Sequence, residues 1–126
     1  MGEKIIRAQE ILIDDLVSQV QSCLSDDLRK PPWKGSDDPL AGHCYVASEA
    51  LYHLLGGSEA GWKPMFIRHE DAPHWFLQHY DGTIVDPTGD QFDTPVPYGS
   101  ARGKGFLTKQ PSARAQTVID CVTGYG

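Results

Sequence analysis

The sequence predicts an α+β fold in which a cysteine-bearing helix packs on a small antiparallel sheet, flanked by N-terminal and C-terminal helices. Apolar residues recur at helical spacing over residues 3 to 24, a second helical stretch begins at Cys44, and strand-like stretches follow it. This order of helix, loop, helix and antiparallel strands is typical of the class. A chain of 126 residues buries one core, so residues 1 to 126 are assigned to a single domain.

The first helix is expected over residues 3 to about 24, because the apolar residues of this segment form one stripe. A further helical turn is expected at residues 26 to 29, before Pro31-Pro32 ends it. Residues 31 to 42 are dense in Pro, Gly and Asp and are predicted to form a loop. The stripe consists of Ile5, Ile6, Leu12, Ile13, Leu16, Val17, Val20 and Leu24.

The second helix is expected to run from Cys44 to Leu55. Gly56-Gly57 ends it, because glycine readily adopts the left-handed conformation of a helix C-terminus. A final helix is expected from Pro111 to Val122, with Gly124 just beyond its end. Between these helices, three strands are expected at residues 63 to 68, 74 to 80 and 83 to 86. Residues 87 to 105 are rich in turn formers and are expected to form a long surface excursion.

Charge and hydropathy argue against two kinds of partner. The net charge of −6 opposes a broad footprint on a phosphate backbone, so no nucleic acid is expected to bind. The one basic cluster, Arg102-Gly103-Lys104 with Lys109 nearby, is interpreted as a solvated loop. No apolar run approaches the ~18 residues needed to span a bilayer, so no membrane partner is expected either.

The cysteines and the first residues predict a cytoplasmic protein. The segment after Met1 has no apolar core of a signal peptide. Three cysteines form an odd, sparse set, which favours reduced thiols over a disulfide framework. Cys23 and Cys121 are expected inside helices as buried, inert thiols.

Cys44 is the candidate nucleophile. It follows a loop and is expected in the first turn of a helix, where unpaired N–H groups and the helix dipole favour an anion. That environment is expected to lower the thiol pKa and to provide donors for an oxyanion. The alternative is a buried, unreactive cysteine, the commonest state of a free thiol.

His74 and Asp86 are the candidate base and orienting carboxylate. His74 opens an apolar strand, where Trp75 is expected to shield it from water. A tight two-residue turn at Asp81-Gly82 would turn Asp86 away from His74. A three-residue turn with Gly82 in the left-handed conformation pairs residue 79 with 83 and 76 with 86, which places Asp86 on the His74 face as a diagonal neighbour. The sequence therefore predicts the bulged turn, with Asp86 holding the Nδ1–H group of His74.

Three segments resemble the core of the papain-like and transglutaminase-like cysteine superfamily: GHCYVA at residues 42 to 47, His74-Trp75-Phe76, and DGTIVDPT at residues 81 to 88. In that core a cysteine-bearing helix packs against a hairpin that supplies His and then Asp. The order Gly-x-Cys, Gly56-Gly57, His74, Asp-Gly-x-x-x-Asp-x-Thr and Gln91-Phe92 more closely resembles the small YunG-like bacterial proteins. The resemblance covers residues 31 to 92.

The resemblance implies acyl-transfer chemistry of the peptidase, amidase, deamidase or transglutaminase type on an amide or ester, including a peptide or protein side chain. It implies Cys44 as nucleophile, His74 as base and Asp86 as third member of a triad, with no cofactor or metal. The chain departs from papain-like enzymes because no glutamine precedes Cys44 to donate to the oxyanion. His43, Trp33 or backbone N–H groups are left for that role.

Four residues are candidates for binding the substrate: Trp33, His43, Trp75 and Gln91. Two of them have a second interpretation. Trp33 either walls a cleft or fills the core, and Gln91 either lines the site or closes the turn after Asp86. Two other functions stay open: a non-catalytic binding or inhibitor protein on the same fold, and a zinc site made by Cys44, His74 and Asp86.

Overall fold

The computed structural model describes residues 2–25, 43–106 and 109–124, and for residues 2–11 it describes the backbone alone. This part of the chain contains three α-helices and a four-stranded antiparallel sheet, which confirms the α+β class. Within it, no helix has the length and apolar character needed to cross a membrane. The elements are α1 (Gly2–Ser22), α2 (Cys44–Leu54), β1 (Trp62–His69), β2 (Ala72–His79), β3 (Ile84–Val85), β4 (Arg102–Gly103) and α3 (Ala113–Thr123).

The sheet has the strand order β3-β2-β1-β4. The three predicted strands correspond to β1, β2 and β3, and β3 is shorter than expected. β4 was not predicted, because two residues, one of them glycine, carry no alternating pattern. It lies inside the predicted surface excursion and pairs with the middle of β1, where Phe66 is opposite Arg102.

The hairpin between β2 and β3 has the predicted bulged turn. Leu77 pairs with Val85 and Gln78 with Ile84, and the N–H of His79 donates to the carbonyl of Thr83 at 2.8 Å. Gly82 has a φ of 96°, a left-handed conformation that glycine adopts without a steric penalty. The register follows from this turn, and it brings Asp86 to the same face of the sheet as His74.

The hairpin between β1 and β2 turns at Glu70 and Asp71, whose φ angles of 50° and 62° lie in the left-handed region. Such a turn usually takes Asn and Gly, so two other residues here store strain. The carboxylate of Glu70 offsets it by accepting hydrogen bonds from the backbone N–H of Thr94 at 2.7 Å and from its hydroxyl at 2.6 Å. The turn thereby anchors the segment that follows Gln91 and Phe92.

Side chains pack on both faces of the sheet. On one face, α2 buries its apolar side against β2 and β3, together with α1 and α3. Glu49 of α2 is also buried, and it accepts hydrogen bonds from the N–H and the hydroxyl of Ser112, which caps α3. The opposite face carries a second cluster, formed by Met65, Ile67, Phe76 and Val96.

The prediction for Cys23 and Cys121 was wrong, since the two form a disulfide that joins the end of α1 to α3. Cys23 lies just after α1 rather than inside it, and the sequence separation of 98 residues hides the pairing from any local pattern. The reduced-thiol argument for a cytoplasmic protein therefore fails. Leu12 also departs from the predicted apolar stripe, because it is 63% exposed.

Several predictions lie outside the described residues. These are the helical turn at 26 to 29, the loop at 31 to 42 and Trp33 within it. The other helices agree with the sequence within two residues. Ser112 caps α3 by accepting from the N–H of Ala115, and Gly124 ends it with a φ of 83°.

Candidate active site

A buried histidine–carboxylate pair is the centre of the site. His74 Nε2 lies 2.6 Å from Asp86 Oδ2, and neither side chain is open to solvent beyond a few per cent. The β2–β3 register produces this contact, because it sets Asp86 on the face from which His74 projects. The pairing was predicted, but the ring nitrogen was wrong: Asp86 holds Nε2, not Nδ1.

Asp86 is itself held from two other directions. Its Oδ1 accepts the backbone N–H of Thr88 at 3.2 Å, and its Oδ2 accepts the Tyr98 hydroxyl at 2.8 Å. Gly89 permits this approach, since a Cβ there would lie 2.9 Å from Asp86 Oδ2. Burial and the Asp86 charge both raise the pKa of Tyr98, which therefore remains a hydrogen-bond donor.

Tyr98 was missed by the sequence analysis. It lies in a short 3₁₀ turn, Tyr98–Ser100, within the segment predicted as a surface excursion. No periodic pattern marks it, because its position depends on how an irregular segment folds back over the sheet. The only available signal was an aromatic residue in a stretch otherwise made of small and turn-forming residues.

The second ring nitrogen of His74 faces Gln91. Gln91 Nε2 donates to His74 Nδ1 at 3.3 Å and also lies 3.3 Å from the Thr88 hydroxyl. With Nε2–H donating to Asp86 and Nδ1 accepting from Gln91, these contacts match the imidazole tautomer that has its lone pair on Nδ1. That tautomer is the one that a general base acting through Nδ1 requires. Gln91 thus contacts the predicted base directly, and it also contacts the turn after Asp86.

Aromatic rings shield His74 from water, but Trp75 is not among them. Neighbouring residues of a strand point to opposite faces, so the Trp75 ring packs away from His74. The His74 ring instead meets Phe92 edge-on, with centroids 4.7 Å apart, and stacks with Phe76 at 6.1 Å. The predicted shielding exists, and its residue assignment was wrong.

Cys44 lies at the first residue of α2, beside an edge of β2 that β3 leaves uncovered. β3 pairs only with Leu77 and Gln78, so it ends before residues 73 to 75. Two α2 side chains bond to this uncovered edge of β2. The Cys44 thiol donates to the Pro73 carbonyl at 3.6 Å, and the Ser48 hydroxyl donates to the Trp75 carbonyl at 3.0 Å. Cys44 is a free cysteine and is partly exposed.

The net effect on the thiol pKa is opposite to the prediction. The backbone N–H of Trp75 on β2 favours the thiolate, and so do those of Tyr45 and Cys44, the latter two as expected at a helix N-terminus. Burial outweighs them and raises the pKa of the Cys44 thiol, and the nearby Asp86 charge adds to the increase. The resting cysteine is therefore a thiol at neutral pH, and its ionisation needs a base.

Cys44 and His74 are neighbours through the backbone of β2. The sulfur contacts the carbonyl before His74 and the N–H after it, and it lies close enough to Asp86 for that charge to act on it. The hydrogen bonds of the two side chains, however, run to other groups: the thiol bonds to Pro73, and the imidazole bonds to Asp86 and Gln91. The structure thus has the His–Asp pair assembled and the thiol beside it.

His43 has a structural contact at this site. It is buried, and its Nε2 donates to the Ser25 carbonyl at 2.8 Å, which ties the start of α2 to the segment after α1. Gln21 makes a parallel contact by donating to the Pro87 carbonyl at 2.8 Å, next to Asp86. Residues 21 to 25 therefore hold both the cysteine-bearing helix and the turn that bears the carboxylate.

The zinc alternative gains no support from the geometry. Over residues 12–25, 43–106 and 109–124, whose side chains the structure describes, no three His, Cys, Asp or Glu side chains are grouped closely enough to hold a metal ion. Cys44, His74 and Asp86 accordingly do not form such a group in this arrangement.

Comparison of the chain with protein-family models, with curated proteins and with solved structures finds no match.

Proposed function

We propose that this protein is a cysteine-dependent acyl-transfer enzyme of the papain-like and transglutaminase-like type, acting on an amide or ester as a peptidase, amidase, deamidase or transglutaminase. Cys44 is the nucleophile, His74 the general base and Asp86 the residue that orients it. The observation that carries the proposal is the buried 2.6 Å contact of His74 Nε2 with Asp86. It leaves Nδ1, now bonded to Gln91, as the nitrogen that can act as base, while the free Cys44 thiol contacts the backbone on both sides of His74.

The proposed reaction begins with proton transfer from the Cys44 thiol to His74 Nδ1, since the raised thiol pKa argues against a preformed thiolate. The sulfur attacks the carbonyl carbon, and the carbonyl electron pair moves to oxygen. Backbone N–H groups of Trp75, Tyr45 and Cys44, which already favour an anionic sulfur, are the proposed donors to that oxyanion. His74 returns the proton to the leaving amine or alkoxide as its bond breaks, and water or a second amine then resolves the thioester.

Two hydrogen bonds must break before the first step. The thiol proton must leave the Pro73 carbonyl, and the amide of Gln91 must give up its bond to His74 Nδ1. Rotation of the Cys44 side chain about its Cα–Cβ bond changes the partner of the sulfur while the helix stays in place. Gln91 is then free to donate to the substrate, in keeping with its predicted role in binding.

A non-catalytic binding protein is the second candidate, and the same hydrogen bonds favour it. A thiol bonded to a backbone carbonyl, with its pKa raised by burial, resembles a structural cysteine. A base whose lone pair is already engaged by Gln91 would then be part of a polar network that only stabilises the fold.

Labelling with a thiol-directed acyl electrophile, a peptide chloromethyl ketone, separates the two functions. We expect modification of Cys44 near neutral pH, strongly reduced in the His74→Asn variant. The oxidised protein suits this assay because Cys23 and Cys121 are joined, which leaves Cys44 as the reactive thiol. Equal rates for the wild type and for His74→Asn would support the binding protein and contradict the enzyme.

A cytoplasmic location is a separate proposal, and the disulfide weighs against it, because cytosolic thiols are kept reduced. Trapping thiols in intact cells with a mass tag decides the question. A cytoplasmic protein carries three tags, whereas the protein from an oxidising compartment carries one.

A further inference from the structure

Two cations lie over aromatic rings on the face of the sheet that bears Trp75. The guanidinium of Arg102 lies 5.7 Å from the centre of the Phe66 ring, and the Lys104 ammonium lies 4.5 Å from the same ring. Lys104 is also 5.6 Å from the centre of the Trp75 ring. We call Arg102, Lys104, Phe66 and Trp75 the cationic strip.

The strip reaches the candidate nucleophile through Trp75. The ring of this residue contacts the Lys104 ammonium, while its backbone N–H points to the Cys44 sulfur. Tyr45, the residue after Cys44, packs edge-on against the same ring at 5.0 Å. The Trp75 ring therefore links Tyr45, the residue after Cys44, to the Lys104 ammonium.

Backbone pairing fixes the position of both cations. Arg102 is paired with Phe66 in the sheet, and the N–H of Lys104 donates to the Pro64 carbonyl at 3.1 Å. Both side chains are exposed, so their outer N–H groups face solvent. In the part of the chain that the structure describes, neither cation has a carboxylate partner, although the protein carries six more acidic than basic residues.

A cation that rests on an aromatic ring keeps its charge and its hydrogen-bond donors available to a ligand. Two such cations without an internal carboxylate, linked to the proposed nucleophile through Trp75, match a substrate that carries its own carboxylate. We propose that the cationic strip makes the Cys44 site selective for acyl substrates that bear a carboxylate next to the reacting carbonyl, such as an acidic peptide. The selectivity for a substrate rests on the proposed function, whereas the attraction of carboxylates to the thiol does not.

The attraction is measured with two small alkylating reagents that differ in charge, iodoacetate and iodoacetamide. Their rates with Cys44 are compared at one pH and low salt, where Coulomb interactions at the surface are least screened. In the double variant Arg102→Gln/Lys104→Gln we expect the ratio of iodoacetate to iodoacetamide rates to fall about three- to tenfold, with the iodoacetamide rate unchanged. High salt should produce the same fall in the wild type.

Lys109→Gln is the matched control, since it removes one positive charge from an exposed residue outside the strip. Its ratio should stay at the wild-type value. An unchanged ratio in the double variant, or an equal fall in the control, would overturn the proposed attraction.

Peptide chloromethyl ketones that differ only in Asp or Asn beside the reactive carbonyl test the substrate class. Faster labelling by the Asp reagent than by the Asn reagent, with the difference lost in the double variant, supports the proposed substrate class. Equal labelling of the wild type by both reagents contradicts it. Labelling by neither reagent contradicts the proposed enzyme and the substrate class together, and the iodoacetate ratio still decides whether the strip attracts carboxylates.

Discussion

β2 carries two histidines five residues apart, each paired with an aspartate outside the strand, and only one of these pairs belongs to the candidate site. His74 and Asp86 are 0% and 5% exposed and 2.6 Å apart, whereas His79 and Asp81 are 18% and 55% exposed and 3.1 Å apart. The exposed pair closes the hairpin turn and is screened by water, so it contributes little. The buried pair acts in a low-dielectric setting, where the carboxylate fixes the tautomer of the ring. Burial, not the residue types, makes the difference.

The largest effect is expected from removing the buried carboxylate. Asp86→Asn leaves His74 without its orienting charge, so labelling of Cys44 by an acyl electrophile should fall about a thousandfold or more. The buried ring also loses its partner, which should cost about 3 kcal/mol of unfolding free energy, measured by urea denaturation. Asp81→Asn is the control in the exposed pair, and it should change neither measurement. Equal effects of Asp86→Asn and Asp81→Asn would contradict the conclusion that burial distinguishes the two pairs.

Removing the disulfide should disturb the buried pair, His74 and Asp86, and leave the exposed pair, His79 and Asp81, unchanged. Cys23→Ser/Cys121→Ser is expected to lower the unfolding free energy by about 2–5 kcal/mol. It also loosens residues 21 to 25, which hold Pro87 and His43 through hydrogen bonds. The NMR resonances of the His74 ring should therefore move in this variant, and those of the His79 ring should stay in place. A shift of both would mean that the variant loosens the whole sheet.

Tyr98→Phe removes one hydrogen bond from the buried carboxylate. Because a hydrogen bond to a charged group contributes about 1.5–3 kcal/mol, we expect about a tenfold loss of acyl labelling with the fold retained. Tyr80→Phe is a matched control beside the exposed pair, since the Tyr80 side chain is 85% exposed. Unaltered labelling in Tyr98→Phe would show that Asp86 orients His74 without the tyrosine.

The pH dependence of Cys44 tests the consequence of burial for the thiol. Because burial raises its pKa, alkylation by iodoacetamide should keep rising with pH beyond the ordinary thiol value of about 8.5. Unfolded chains lose the thiol proton first, so this group's contribution to stability is present below that pH and is lost as pH rises through the raised pKa. A plateau of the alkylation rate near neutral pH would contradict the raised pKa.

Local sequence rules were sufficient to predict the part of the site that a hairpin determines. The alternation of side chains along a strand and the Asp-Gly turn together set which face Asp86 occupies, so the His74–Asp86 contact followed from residues 74 to 86 alone. The ring nitrogen was not predictable this way, because it depends on Gln91, Phe92 and Tyr98 from an irregular segment. The prediction of a lowered thiol pKa was wrong for a similar reason. The helix N-terminus is a local feature, whereas burial of the sulfur arises from tertiary packing.

The free thiol and the disulfide of this chain require opposite redox conditions. Cys44 can act as the proposed nucleophile only as a reduced thiol, while Cys23 and Cys121 hold residues 21 to 25 in place only when they are oxidised. A strong reductant, the usual additive for cysteine enzymes, would therefore protect one sulfur and release the other two. The Cys44 thiol should show full reactivity only over an intermediate range of reduction potential. An assay in a series of glutathione redox buffers would test this.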